Sequence, residues 1–429
     1  LKNKLQEYIA KQGLARFKEL VYAYADKHKY QCILDSCQLN TGVYGGEFEF
    51  LAAIGATQVY TSWSSFEQAT TQGKWLFGVL GYDVKNHFET LSSENNAVID
   101  TPELLFFEPQ ILLAIDKNQQ VSVLKGDLSM DFFDAVVVKN KRDISPVYSP
   151  ISRSDYIQKI EEIQELIRGG EVYELNYCVP YSHSFNAFQP VLFHLDLLQK
   201  SPVPMGAYFR ANQLYLCGAS MERFLMKQGD TLVSQPIKGT IKKGQTPEED
   251  VALITQLKNS EKDRAENVMI VDLVRNDLNR VCKSGTVKVK ELFGIYSYLQ
   301  VHQMISTVEG EVLPEVSISD ILKATFPMGS MTGAPKIAAM KYIEGIENFK
   351  RGWYSGALGY IAPDGDFDFN VVIRSVLCDT NNKVLNYNAG GAITIDSIAE
   401  QEWMEVQLKT KAITEVLKGG ENKSNSAVT

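Results

Sequence analysis

Apolar residues fall into two rhythms along this chain. Short continuous runs, Leu76 to Leu80 and Ile111 to Ile115, lie between polar turns and predict buried strands. Pro146 and Pro150 then bracket a linker, after which Ile157, Ile160, Ile163 and Ile167 line one face of a predicted helix capped by Ser154 and stopped by Gly169-Gly170. Further on, strands at Ala207 to Phe209, Gln213 to Cys217 and Thr231 to Val233 alternate with helices near 248–258, 263–278, 318–325, 335–346 and 399–417. Turns such as Gly229-Asp230 favour antiparallel pairing, so the pattern is mixed α/β. The pattern divides the chain into an N-terminal region 1–148, a second region 150–417 and a polar tail 418–429 expected to be disordered. The opening Leu1 reads as a trimmed start.

Charge narrows the partners. With 52 acidic and 43 basic residues the net charge is -9, so no overall positive field draws in a polyanion, and no nucleic acid partner is expected. A small anion can still be held where a few cations and N–H groups converge. No run approaches the roughly 18 apolar residues of a membrane span, so no membrane partner is expected and the expected location is cytoplasmic. The six cysteines form no CxxC pair and read as reduced thiols rather than as a zinc site or a disulfide framework.

Several clusters could carry chemistry. Asp263 and Glu266, three apart on a predicted helix, share a face, and Glu402 and Glu405 repeat the spacing with Lys409 four residues on. Two such pairs can supply the hard oxygen ligands that Mg²⁺ prefers, and they are equally the mark of solvated Glu–Lys faces. Ala389-Gly390-Gly391-Ala392-Ile393 is either a backbone cradle for a carboxylate or a tight turn. Phe326 to Lys336 is a Gly-rich loop with Pro335 at the start of a helix, without the order of a Walker loop. Arg374, in the strand-like run Phe367 to Cys378, calls for an anionic partner, either a ligand or a structural acid. Lys238 stands between Pro and Gly in Gln235-Pro236-Ile237-Lys238-Gly239-Thr240, where desolvation would favour the neutral amine and free its lone pair for attack. An exposed turn lysine is the alternative. Glu222, sixteen positions earlier, is either an acid for a leaving group or an ion-pair partner.

In this order the motifs resemble the chorismate-utilising enzymes, the synthase subunits that make anthranilate, aminodeoxychorismate, isochorismate and salicylate. The likeness covers roughly residues 150 to 416 and is most specific in Asp263 to Asp277, DRAENVMIVDLVRND. It implies a large sandwich of two antiparallel β-sheets with helices packed outside. Residues 1–148 would be a region like anthranilate synthase component I, and 150–417 the chorismate-binding catalytic region. It implies Mg²⁺ on Glu266 and Glu405 with Asp263 and Glu402 as companion acids. Lys409 and the backbone of Gly390, Gly391 and Ala392 would hold the ring carboxylate of chorismate, and Tyr354 with Arg374 the enolpyruvyl carboxylate. His302 and Ser330 would line the ring pocket, with Thr240 and Asn176 completing the substrate contacts.

The PIKGT form around Lys238 resembles the members that make aminodeoxychorismate, whereas anthranilate-forming members carry a small residue there. Asn176 stands in the motif where water-adding members place a water-activating lysine, and an amide cannot serve as that base. The resemblance therefore implies amination of chorismate at C4 on the route to p-aminobenzoate and folate, with Lys238 as nucleophile and Glu222 as acid. No Gly-x-Cys-x-Gly motif surrounds any cysteine, so ammonia is expected from a partner glutamine amidotransferase subunit. Ile33-Leu34-Asp35-Ser36 is similar to a tryptophan-binding element of these enzymes, with Ser36 as the candidate contact and Asp35 in place of the usual Glu. A plain strand end is the alternative.

Overall fold

The computed structural model describes residues 2–40, 42–137, 142–149 and 151–419. Both rhythms of the sequence become elements. Leu76–Leu80 is a strand buried along its whole length, and Ile111 to Ile115 lies inside the longer strand Leu104–Asp116. The helices form as Pro247–Asn259, Glu261–Asn279, Ile318–Thr325, Lys336–Ile346 and Ala399–Lys418. The helix Arg153–Arg168 corrects one detail. Its cap is Ser152, whose side chain accepts from the Asp155 N–H while Asp155 reaches back, so Ser154 lies inside the first turn. Burying Ile160 and Ile163 on its inner face contributes roughly 1.5–3 kcal/mol each.

Strand pairing is antiparallel throughout a large sheet. One half runs Glu174–Ala187, Val384–Ile393, Ser375–Asp379, Leu214–Ser220, Met205–Ala211, Tyr30–Asp35, Phe48–Tyr60. The long antiparallel pair of Phe48–Tyr60 with Leu104–Asp116 carries the ladder over to the other half. That half continues Leu76–Leu80, Ala357–Ile361, Phe367–Val371, Arg223–Gln228, Thr231–Gln235, Val301–Glu311 and Lys288–Ser297. Where two separate sheets were expected, hydrogen bonds join the strands into one connected ladder. Strands from the first 125 residues occupy its middle, bonded to Met205–Ala211 on one side and Ala357–Ile361 on the other.

Alternation along each strand decides what it meets. In Met205–Ala211 the ring of Tyr208 lies beside Tyr22 and His194, against the helices, while Phe209 points the opposite way, 5.4 Å from Trp353 and 6.2 Å from Phe107. An apolar layer therefore lies between the two halves, and helices cover the outer faces. Strands buried on both faces read as continuous apolar runs, which is why they were visible in the sequence. Phe367 to Cys378 is not one strand but two, Phe367–Val371 and Ser375–Asp379, broken where Arg374 takes φ 51°. The expected tail begins as ordered helix, since Lys418 ends Ala399–Lys418 and Gly419 caps it; residues 420–429 lie outside the described ones. All six cysteines are free thiols. Among the described residues no helix is long and apolar enough to cross a membrane.

Candidate active site

Pairing of Ile237–Lys242 with Val301–Glu311 is irregular between Ile237 and Thr240, so Lys238 and Gly239 sit at a bulge. Gly239 takes φ 91°, and a Cβ there would stand 3.0 Å from the Cβ of Asp263. Only glycine lets this loop lie against the start of Glu261–Asn279. Lys238 is thereby buried, and its Nζ donates to Glu174 Oε1 at 2.9 Å. This overturns the expected neutral amine. Burial does disfavour the charge, but Glu174, Glu266 and Glu222 together hold the ammonium above its ordinary pKa.

One acid from each of two helices, Glu266 and Glu405, feels the charge of this lysine. Ser260 caps Glu261–Asn279 through the Asp263 N–H, leaving Asp263 half-buried and Glu266 buried one turn on. Burial pushes the Glu266 carboxyl up to about 7 against the pull of Lys238, and its Oε1 has no hydrogen-bond partner. On Ala399–Lys418, Glu402 accepts from Ser397 Oγ at 2.8 Å and from Lys262 Nζ at 3.1 Å. Lys409, 2.7 Å away, pulls the half-exposed Glu405 down to about 2. Gly390, Gly391 and Ala392 lie in neither a turn nor a loop but within the strand Val384–Ile393, opposite Cys178, Tyr177 and Asn176. A Cβ on Gly391 would meet Glu402 Oε2 at 3.4 Å, Lys409 Nζ at 3.6 Å and Glu405 Oε1 at 3.9 Å, so three charged groups converge over bare backbone. Lys409 also donates to Gly390 O at 2.7 Å.

Among the described residues no group of three His, Cys, Asp or Glu side chains is set closely enough to enclose a metal ion. The donor set nevertheless suits Mg²⁺. It offers carboxylate oxygens alone, and one of them, Glu266 Oε1, is buried without a partner.

Glu222 is buried, and burial raises its carboxyl to about 7, opposed by Ser330 and by the charge of Lys238. Its folded pKa lies above the ordinary 4.5, so the native state binds the extra proton, and the associated stability is lost as pH rises from about 4.5 through 7. Glu222→Gln abolishes that loss. Urea denaturation should find the variant more stable than wild type by about 3 kcal/mol at pH 8 and nearly equal at pH 4.5. Equal stabilities at pH 8 would show that no carboxylate is buried at a cost there.

Other expected contacts are placed less evenly. Asn176 donates to Ser330 O at 2.9 Å and accepts from Cys178 Sγ, so its amide is engaged with protein. Tyr354 is buried, its hydroxyl 3.5 Å from Cys178 Sγ. Arg374 is half-buried and donates to Lys409 O at 3.1 Å; no described carboxylate forms an ion pair with it. Thr240 is exposed on the bulged strand. His302 is fully buried with both ring nitrogens engaged, by Ser297 Oγ at 2.7 Å and Asp250 Oδ1 at 2.8 Å, which leaves only its ring face for packing. Ser36 donates to Glu49, while Asp35 pairs with Lys18 at 2.7 Å, beside a cavity of about 50 Å³ that Leu34, Phe48, Met205 and Tyr360 also line.

Three groups escaped the sequence reading. Glu174 was given no role, although a carboxylate in the otherwise uncharged run Val172 to Leu175 was a signal. Lys262 precedes Asp263 and had an i, i+4 partner in Glu266. Glu347 and Arg351 form a buried bidentate pair across the end of Lys336–Ile346.

The family model for chorismate binding enzymes matches residues 44–415. The chain is 37% identical over 364 residues to the chloroplastic aminodeoxychorismate synthase of Arabidopsis thaliana, covering 78% of this chain and 39% of that one. It is 34% identical over 338 residues to anthranilate synthase component 1 of Saccharolobus solfataricus, covering 79% of each. The crystal structure of anthranilate synthase component I from Streptococcus pneumoniae superposes with a TM-score of 0.75 at 25% identity, over 88% of this chain and 94% of that one. This chain thus spans about two fifths of the Arabidopsis relative. It belongs to the chorismate-binding enzyme family.

Proposed function

We propose that the chain aminates chorismate at C4 to 4-amino-4-deoxychorismate, with ammonia supplied by a separate glutamine amidotransferase subunit. The observation that carries this reading is Lys238, a buried amine bonded to Glu174 and under the field of Glu222 and Glu266. A lysine so enclosed is accounted for by covalent chemistry better than by packing. Lys238 first gives a proton to Glu174, 2.9 Å away, whose second oxygen has no partner. The free amine attacks C2 of the ring while Glu222 protonates the departing C4 hydroxyl, which leaves as water. Ammonia then adds at C4 and expels the lysine as the free amine, which takes back its proton from Glu174, while the new C4 ammonium returns a proton to Glu222. Occupying C2 with the lysine keeps the enolpyruvyl group in place.

The dianionic substrate needs two separated grips. Arg374 with Tyr354 forms one, and Lys409 with the bare strand at Gly390 to Ala392 lies at the other. Glu266 and Glu405, with Asp263 and Glu402 beside them, would hold Mg²⁺, which when bound neutralises the ring carboxylate and fixes the ring.

A second reading, formation of anthranilate, is favoured by the likeness to the Saccharolobus and Streptococcus proteins. Chorismate, Mg²⁺ and ammonium mixed with the purified chain separate the two by product mass. A product that keeps the three-carbon side chain and yields p-aminobenzoate with an added lyase supports the proposal. Fluorescent anthranilate with loss of pyruvate refutes it.

A further inference from the structure

Lys262 ties the two acid-bearing helices together. Its Nζ stands 3.1 Å from Glu402 Oε1 and 3.8 Å from Glu266 Oε1, so one ammonium bridges Glu261–Asn279 and Ala399–Lys418. The two acids are almost fully enclosed, at 2% and 8% exposure, whereas the lysine side chain is 45% exposed. Enclosed carboxylates demand a counter-charge, and the other cations nearby are engaged, Lys409 with Glu405 and Lys238 with Glu174. Yet the lysine satisfies the acids poorly. Glu266 Oε1 has no hydrogen bond, and Glu402 Oε1 needs Ser397 as a second donor.

We propose that Lys262 is a tethered cation that holds the Glu266–Glu402 pair together in the metal-free protein, and that a divalent ion enters by displacing it into solvent. The inference rests on the metal role assigned to these acids under Proposed function. The physical basis is that two cations cannot share the same pair of carboxylates. The compact, strongly hydrated ammonium sits on a flexible stem that already reaches water, so its departure costs little structure. An arginine fork at this place would hold both acids more rigidly and leave less readily. Lys262 is then a positioning residue that sets how tightly the metal binds and keeps the empty site from separating.

Binding of Mn²⁺, followed by loss of its free electron paramagnetic resonance signal and by Mg²⁺ competition, tests this on the full chain without reference to turnover. Lys262→Met keeps the stem and removes the charge. It should bind Mn²⁺ about tenfold more tightly than wild type at low salt, the modest size reflecting a half-exposed ion pair. In EDTA the variant should melt at a lower temperature than wild type, with the gap closing when metal is added. Lys262→Gln, equally mild on this exposed stem, should behave the same way. Equal or weaker Mn²⁺ binding by both variants, with wild type binding normally, overturns the inference and leaves the metal reading standing. A wild-type chain that takes up no Mn²⁺ overturns the metal reading, and this inference with it.

Discussion

Lys238→Ala is expected to reduce chorismate amination by on the order of 10³-fold, about 4 kcal/mol of transition-state stabilisation, almost entirely in kcat. The substrate grips do not pass through this side chain. Arg374 is anchored on Lys409 O and Lys409 on Gly390 O, so KM for chorismate should stay within a few-fold of wild type. What disappears is the bond to C2. Wild type incubated with chorismate and no ammonia should show a mass increment on Lys238 that the alanine variant lacks, and residual turnover in the variant should release anthranilate. Removing the ammonium also strands Glu174, which is fully enclosed, so the variant should be less stable than wild type. Amination at the wild-type rate by a folded Lys238→Ala protein would remove the covalent step from the scheme.

The sequence was most informative where chemistry and local rhythm coincide. Glu261–Asn279 was visible from Asp263 onward because its acids share a helical face, whereas the Ser260 cap that starts it two residues earlier was not read. The charge on Lys238 was not visible. Its controlling partner, Glu174, is 64 positions away on another strand, and the bulge that turns the lysine inward depends on strand pairing. Burial alone argues for a neutral amine; only the distance to a carboxylate reverses the sign. The same limit hid the break at Arg374. A run of strand formers gives no hint that one residue takes a positive φ, a choice set by the two strands it must serve. Gly390-Gly391 was open between a backbone cradle and a tight turn, since paired glycines suit both, and a strand was not among the alternatives. Here they thin a strand instead, since a Cβ on Gly390 would stand 2.1 Å from Tyr177 O.

Arg351→Ala should be the most destabilising single change at this site, by about 3–5 kcal/mol, because it leaves the Glu347 carboxylate buried without its cation. The guanidinium holds Glu347 with Nε at 2.8 Å and Nη2 at 2.7 Å, and also donates to Met331 O at 2.6 Å and Asn176 O at 3.0 Å. Glu347 in turn accepts from the Cys178 N–H at 2.8 Å. One buried pair therefore fixes the strand bearing Asn176, the loop bearing Ser330 and, three residues along, Tyr354. Lysine cannot restore this, since a point charge does not span a carboxylate and two carbonyls in one plane, so Arg351→Lys should recover little. The double change Glu347→Leu with Arg351→Met removes both charges and should cost less than the two single changes summed. Urea denaturation of the four proteins measures this coupling, and the folded fraction of Arg351→Lys should show a raised KM for chorismate as the loop and Tyr354 lose their register. If Arg351→Ala unfolds within 1 kcal/mol of wild type, the carboxylate at 347 is neutral in the native protein and the pair is not what holds these three elements together.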